Sequence, residues 1–107
     1  MITEAAFQQA VIDLARWTGW RIFHPRTVHT AQGAHLTAFY GDAGFPDLVL
    51  VHRTRGVIFA ELKSERGRLT NDQTLWGEYL KAAGVEYHVW RPDDIETVKD
   101  RLRQTNE

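Results

Sequence analysis

The sequence predicts an α/β (α+β) fold with its elements in the order α-β-β-β-α-β-α. Three observations predict it. Two short apolar runs, residues 44–51 and 57–63, are separated by a polar stretch ending in Gly56, which reads as a hairpin. Residues 3–18 and 70–83 repeat apolar side chains at helical spacing, each with an N-capping threonine ahead and a glycine behind. Beyond them, residues 85–90 alternate as a strand and a last capped stripe follows.

Each element has local reasons. Thr3 caps the first helix, Ile2 and Phe7 have the spacing of a hydrophobic staple, and Phe7, Ala10, Val11, Leu14 and Ala15 form its stripe up to Gly19. Glu4 sits in the first turn, where a carboxylate favours the helix dipole. It serves equally as a third acid, a metal ligand or water anchor, if the helix start docks beside the hairpin. Residues 20–24 read as a strand ended by Pro25. Residues 25–46 show no strong periodicity, with a short strand or extension at 36–40. So long a connection is usually functional. It delivers the chain to Asp47, so Arg26, His29, His35 and Tyr40 are candidate substrate contacts, or else solvated loop residues.

After the hairpin, Ser64-Glu65-Arg66-Gly67-Arg68-Leu69 is a polar loop. Arg66 and Arg68 can reach backbone phosphates, as can Arg53 in the hairpin turn, though solvated arginines would look the same. Thr70-Asn71-Asp72-Gln73 matches a capping box with Gln73 at N3. Gln73 also lies one loop beyond Lys63, where its amide can contact water or phosphate; the two roles are compatible. The helix it opens should carry Trp76, Tyr79, Leu80 and Ala83 on one face, with Gly84 as its C-cap. Arg91-Pro92 ends the last strand, Asp93 is placed to cap the final helix with Glu96 at N3, and Ile95, Val98 and Leu102 form its stripe. Trp17, Trp76 and Trp90 read as core or interface aromatics.

The hairpin carries the chemistry. Side chains along a strand alternate between faces. If His52 faces Gly56 across a three-residue loop, Val51 faces Val57, Val49 faces Phe59 and Asp47 faces Glu61. Opposed Cβ atoms lie roughly 5 Å apart, so the two carboxylates repel unless a cation sits between them. Two carboxylates, the Leu62 main-chain carbonyl and waters suit a hard cation such as Mg²⁺, which polarises phosphate and acidifies a bound water. Lys63 projects into the same space, able to hold the attacking water or offset developing charge. The same residues are also compatible with solvated strand termini and a surface ion pair.

Composition narrows the classes. With 43% hydrophobic and 25% charged residues over 107 positions, the chain reads as one globular domain large enough to bury a core. It has no cysteine, which excludes disulfides and zinc-thiolate sites, and its five histidines lack metal-ligand spacing. No apolar run approaches a membrane span and the N-terminus lacks a leader pattern, so a cytoplasmic protein is expected. Net charge is −1, but residues 21–68 hold seven Lys and Arg against four acids, which places the basic share around Asp47 and Glu61.

Gly44-Phe45-Pro46-Asp47-Leu48, Phe59-Ala60-Glu61-Leu62-Lys63-Ser64, Gly67-Arg68-Leu69-Thr70, Gln73, Trp76, Leu80, Gly84-Val85 and Val89-Trp90-Arg91-Pro92 together resemble the VRR-NUC domain of the PD-(D/E)XK nuclease superfamily. The resemblance covers most of residues 3–100. It implies a restriction-endonuclease-like fold, a mixed central sheet flanked by helices, in one nuclease domain over residues 1–107. It also implies phosphodiester hydrolysis dependent on Mg²⁺ or Mn²⁺. It assigns Asp47 and Glu61 as metal ligands, Lys63 as the catalytic lysine, Glu4 as the helix-borne acid and Gln73 as the glutamine after the lysine. Small stand-alone members are similar to Holliday-junction resolvases, are typically homodimers and are often phage-encoded, which would place this one in the host cytoplasm. A C₂ dimer also gives a one-site domain the two sites that symmetric cutting needs. Two other readings stay open: a nuclease that nicks or cuts duplex DNA for a phage or mobile element, and a non-catalytic nucleic-acid-binding module of the same fold.

Overall fold

The computed structural model describes residues 2–25, 28–29, 35–36 and 40–104, with the main chain alone at 28–29 and 35–36. The chain runs through helix α1 (Glu4–Trp17), strands β1 (Arg21–Phe23), β2 (Val28–His29), β3 (His35–Leu36), β4 (Leu48–His52) and β5 (Gly56–Leu62), helix α2 (Asn71–Ala82), strand β6 (Glu86–Trp90), a 3₁₀ turn at Pro92–Asp94, and helix α3 (Ile95–Arg103). The main sheet has the order β1-β4-β5-β6. β4 is antiparallel to both β1 and β5, whereas β6 runs parallel to β5. A parallel neighbour requires a crossover, and α2 supplies it. This is the expected mixed sheet flanked by helices. The expected order is extended by β2 and β3, a small antiparallel pair in the long connection. Residues 37–39 of the expected strand at 36–40 lie outside the described residues.

The hairpin has the register read from the sequence: Val49 faces Phe59, Leu50 faces Ile58, Val51 faces Val57 and His52 faces Gly56. Alternation then sends Leu48, Leu50, Ile58, Ala60 and Leu62 to one face, where all are fully buried. They pack with Phe7, Val11 and Ala15 of α1 and Val98 and Leu102 of α3. Each Val, Leu, Ile or Phe among them contributes roughly 1.5–3 kcal/mol by leaving water, so this layer is the main source of stability. Trp20 joins it and donates its indole N–H to the Leu102 carbonyl at 2.9 Å, tying the start of the sheet to the last helix.

α1 begins as expected, with the Thr3 hydroxyl accepting the Ala6 N–H at 3.1 Å. Two details differ from the sequence reading. In α2, Tyr79 is 70% exposed and Ala83 is exposed too. The helix faces the sheet through half-buried Trp76 and Leu80 and buried Gly77. A Cβ at Gly77 would lie 2.8 Å from the Tyr87 ring, so the helix backbone itself rests on that ring. Glycine carries no weight in an apolar periodicity, so the sequence pattern does not disclose this face. At α3, Asp93 does not cap the helix. Pro92 starts a 3₁₀ turn, Asp94 occupies the cap position, and its carboxylate instead accepts the Arg91 N–H at 2.8 Å.

Candidate active site

The β4–β5 hairpin brings the two acids to one end of the sheet. Asp47 immediately precedes β4, and its Oδ2 accepts the Leu62 N–H at 2.9 Å. The chain reaches it through Gly44-Phe45-Pro46. Gly44 has φ +95° and passes so close to α2 that an added Cβ would meet the Asp72 backbone at 2.5 Å. Phe45 lodges edge-on between Trp76 and Phe59, with centroids 5.0 and 6.1 Å away, and Pro46 is buried.

Among the described residues Glu61 is the buried charged side chain of the core, 2% exposed. Its Oε2 accepts from the Gln73 amide nitrogen at 3.2 Å and lies 3.8 Å from the Lys63 ammonium. Its Oε1 is buried with no hydrogen-bond partner among the described residues. Burial, and next the Asp47 carboxylate beside it, push the Glu61 carboxyl up to about 8; Lys63 opposes the shift. A buried carboxylate oxygen left without a partner is costly unless something else meets it. The Tyr87 hydroxyl is also pushed up, by burial and then by the charges of Glu61 and Asp47.

Lys63 follows β5 with its N–H bonded to the Trp90 carbonyl at 3.0 Å, and its side chain is 14% exposed. Gln73 occupies both positions open to it in the sequence. Its amide oxygen accepts the Thr70 N–H at 2.9 Å and closes the capping box, while its amide nitrogen reaches Glu61. The structure therefore brings together Asp47, Glu61, Leu62, Lys63 and Gln73.

The remaining candidates are exposed or lie outside the described residues. Glu4 is exposed in the first turn of α1, one turn ahead of Gln8 on the same helix face. Arg66 and Arg68 are exposed on the loop after Lys63. That loop is held by Arg91, whose Nη1 donates to the carbonyls of Ser64 at 2.6 Å and Gly67 at 2.7 Å, and by the Asp93 N–H bonded to Glu65 at 2.7 Å. Sequence reasoning missed this brace. Arg53 sits at the hairpin turn, six residues along the strand from Asp47, which is about 20 Å at 3.3 Å per residue. The structure does not bring it to the acids. Arg26 and the side chains of His29 and His35 lie outside the described residues, and Tyr40 is fully exposed.

Two further side chains were given no role by the sequence. His24 Nδ1 lies 2.7 Å from the Asp47 carbonyl, and Gln8 Nε2 lies 2.8 Å from His24 Nε2. This links α1 to the Asp47 main chain, and Glu4 stands on the helix face that makes the link. Replacing Glu4 with Ala should cut cleavage at least tenfold, while losing only about 0.3–1 kcal/mol of helix-dipole stability. Melting curves and turnover measured side by side check this; a large stability loss with intact turnover would leave Glu4 a helix-dipole residue.

The donor set can be tested against a metal. Among the described residues no group of three or more His, Cys, Asp or Glu side chains comes together. What the hairpin offers is two carboxylates and a main-chain carbonyl, all oxygen, with one carboxylate oxygen buried and unpartnered. All-oxygen donors completed by water match Mg²⁺ or Mn²⁺ rather than zinc. The residues fit the group.

A mixed four-stranded sheet with β5 crossing through α2 to β6, flanked by helices, is the core of PD-(D/E)XK-like nucleases. The family model of the VRR-NUC domain matches residues 28–93, more than half of the chain, and the chain belongs to that family. No curated protein and no solved structure matches it. The family makes this a nuclease-type domain, one that acts on phosphodiester bonds of nucleic acid, and nucleases of this fold generally use divalent metals. The matched stretch begins after α1 and β1, so Glu4, Gln8 and His24 lie ahead of it. Among the described residues no helix is long and apolar enough to cross a membrane.

Proposed function

We propose that the protein is a metal-dependent, structure-specific DNA endonuclease of Holliday-junction-resolvase type, with residues 1–107 working as one nuclease domain in the cytoplasm. The observation that carries this reading is Glu61: a buried carboxyl with one unpartnered oxygen, beside Asp47, with Lys63 at 3.8 Å. Asp47, Glu61 and the Leu62 carbonyl would hold Mg²⁺ or Mn²⁺, which supplies Lewis acidity toward phosphate and a low-pKa water. Lys63 stands where it orients the attacking water or offsets charge on the phosphoryl oxygens. Gln73 fixes the Glu61 carboxylate through its amide nitrogen while its amide oxygen anchors the start of α2. Arg66 and Arg68, on a loop braced by Arg91, supply cations for the DNA backbone.

A resolvase cuts two strands symmetrically, so the active unit is a homodimer with two such sites. Exposed Phe23, Val51 and Val57 share the sheet face opposite α1 and α3 and give that dimer an apolar surface.

The test is cleavage of labelled four-way junction, flap, linear duplex and single-stranded DNA with Mg²⁺, Mn²⁺ or EDTA, with Lys63→Ala alongside. Paired symmetric cuts in the junction, lost in EDTA and in the variant, are the expected result. Preferential cutting of linear duplex would replace the resolvase reading with a duplex-nicking nuclease of a phage or mobile element. Binding with no cutting on any substrate would leave a nucleic-acid-binding module.

A further inference from the structure

We infer that His24 is a positioning residue for Asp47 and that Gln8 fixes its imidazole. The inference rests on the reading of Asp47 as a metal ligand. Asp47 stands at a weak place in the sheet. The β4–β5 ladder starts one residue later, at Leu48 with Ala60, and the β1–β4 ladder ends at Phe23 with Val49. Extending the second register puts Pro25 opposite Asp47, and proline has no N–H to donate. The Asp47 carboxylate also faces a second carboxyl, which pushes it away whenever both are ionised.

His24 supplies the missing donor. The Asp47 carbonyl can only accept, so the His24 Nδ1 at 2.7 Å carries the hydrogen. The Gln8 amide nitrogen can only donate, so the His24 Nε2 at 2.8 Å accepts. With both ring nitrogens engaged, the imidazole cannot turn over without breaking both bonds. Asp47 is thus gripped on two sides: its carboxylate by the Leu62 N–H, its carbonyl by His24. Residues that orient a metal ligand without touching the metal typically change metal affinity 10–100-fold.

Five variants and three readouts test this, the third being DNA cleavage. The first readout is hydrogen exchange of the Leu62 amide in metal-free protein, which reports directly on the Asp47 carboxylate. The second is Mn²⁺ titration followed by electron paramagnetic resonance. His24→Ala should speed Leu62 exchange and weaken Mn²⁺ binding about 10–100-fold. His24→Asn places an amide N–H near the former Nδ1 and should restore most of both; Gln8→Ala should fall between. Unchanged exchange and affinity in His24→Ala would overturn the inference, as would an asparagine variant as impaired as the alanine one. Should His24→Ala fail to fold, His24→Asn against His24→Gln decides it, because the longer side chain withdraws the donor. An Asp47→Asn variant separates the two levels. If it still binds Mn²⁺ and cleaves DNA, the site reading itself falls; if it does neither while His24→Ala is normal, only the positioning role falls.

Discussion

Glu61→Gln is expected to remove cleavage, on the order of 10³-fold, while leaving a folded protein whose stability no longer declines between about pH 4.5 and pH 8. The first effect follows from losing the carboxylate that would hold the metal, which a bound cation keeps ionised; single preorganised electrostatic groups typically contribute about 10²–10³-fold. The second follows from linkage. The Glu61 carboxyl is raised from 4.5 to about 8 in the folded chain, by burial first and then by Asp47. Between those values the unfolded chain has released its proton and the folded chain has kept it. The folded state binds more protons there, so metal-free stability falls as pH rises through the window and levels off above it. The whole decline is of the order of a few kcal/mol. Glutamine keeps the shape of the protonated acid and cannot ionise, so its urea midpoints should be flat where the wild type's fall. Denaturation series in EDTA at pH 5, 7 and 9 measure this. A variant that still cleaves removes Glu61 from the site, and one that keeps the slope moves the raised carboxyl elsewhere.

Gly44→Ala should be the most damaging single methyl in the protein. Two costs coincide at that position. Its φ of +95° is strained for any side chain, roughly 1–3 kcal/mol, and the new Cβ would collide with α2 backbone at 2.5 Å, which cannot turn aside as a flexible side chain can. Together they predict a loss of about 2–5 kcal/mol, read as a lower urea midpoint with unchanged slope. Gly84→Ala is the control. It has φ +82° with nothing within 4 Å, so it bears the angular strain alone. Because Asp47 lies three residues beyond Gly44, cleavage should fall further in the Gly44 variant than stability alone explains. Equal losses at the two glycines would assign the whole effect to backbone angle and remove α2 from the account.

What the sequence disclosed and what it withheld divide along a physical line. The hairpin register was legible because a three-residue loop leaves one pairing that keeps Leu48, Leu50, Ile58 and Ala60 on a common face. The Thr70–Gln73 box was legible because its members are three residues apart. Contacts between elements far apart in the chain were not. Gln8 and His24 lie 16 residues apart, and their meeting depends on where α1 rests against the end of β1. Arg91 reaches back more than twenty residues to carbonyls, which have no sequence signature. Counting charge along the chain grouped Arg53 with Arg66 and Arg68, yet strand direction puts Arg53 at the other end of the hairpin.

The brace from Arg91 to the loop after Lys63 also bears on when the enzyme becomes competent. The two acids sit on a local hairpin, so they come together early as the chain is made. The parallel partner of β5, and the guanidinium that fixes the loop behind Lys63, are synthesised some thirty residues after it. The pairing of β4 with β5 therefore needs only neighbouring sequence, whereas the bracing of the loop after Lys63 waits for a residue from the far side of α2.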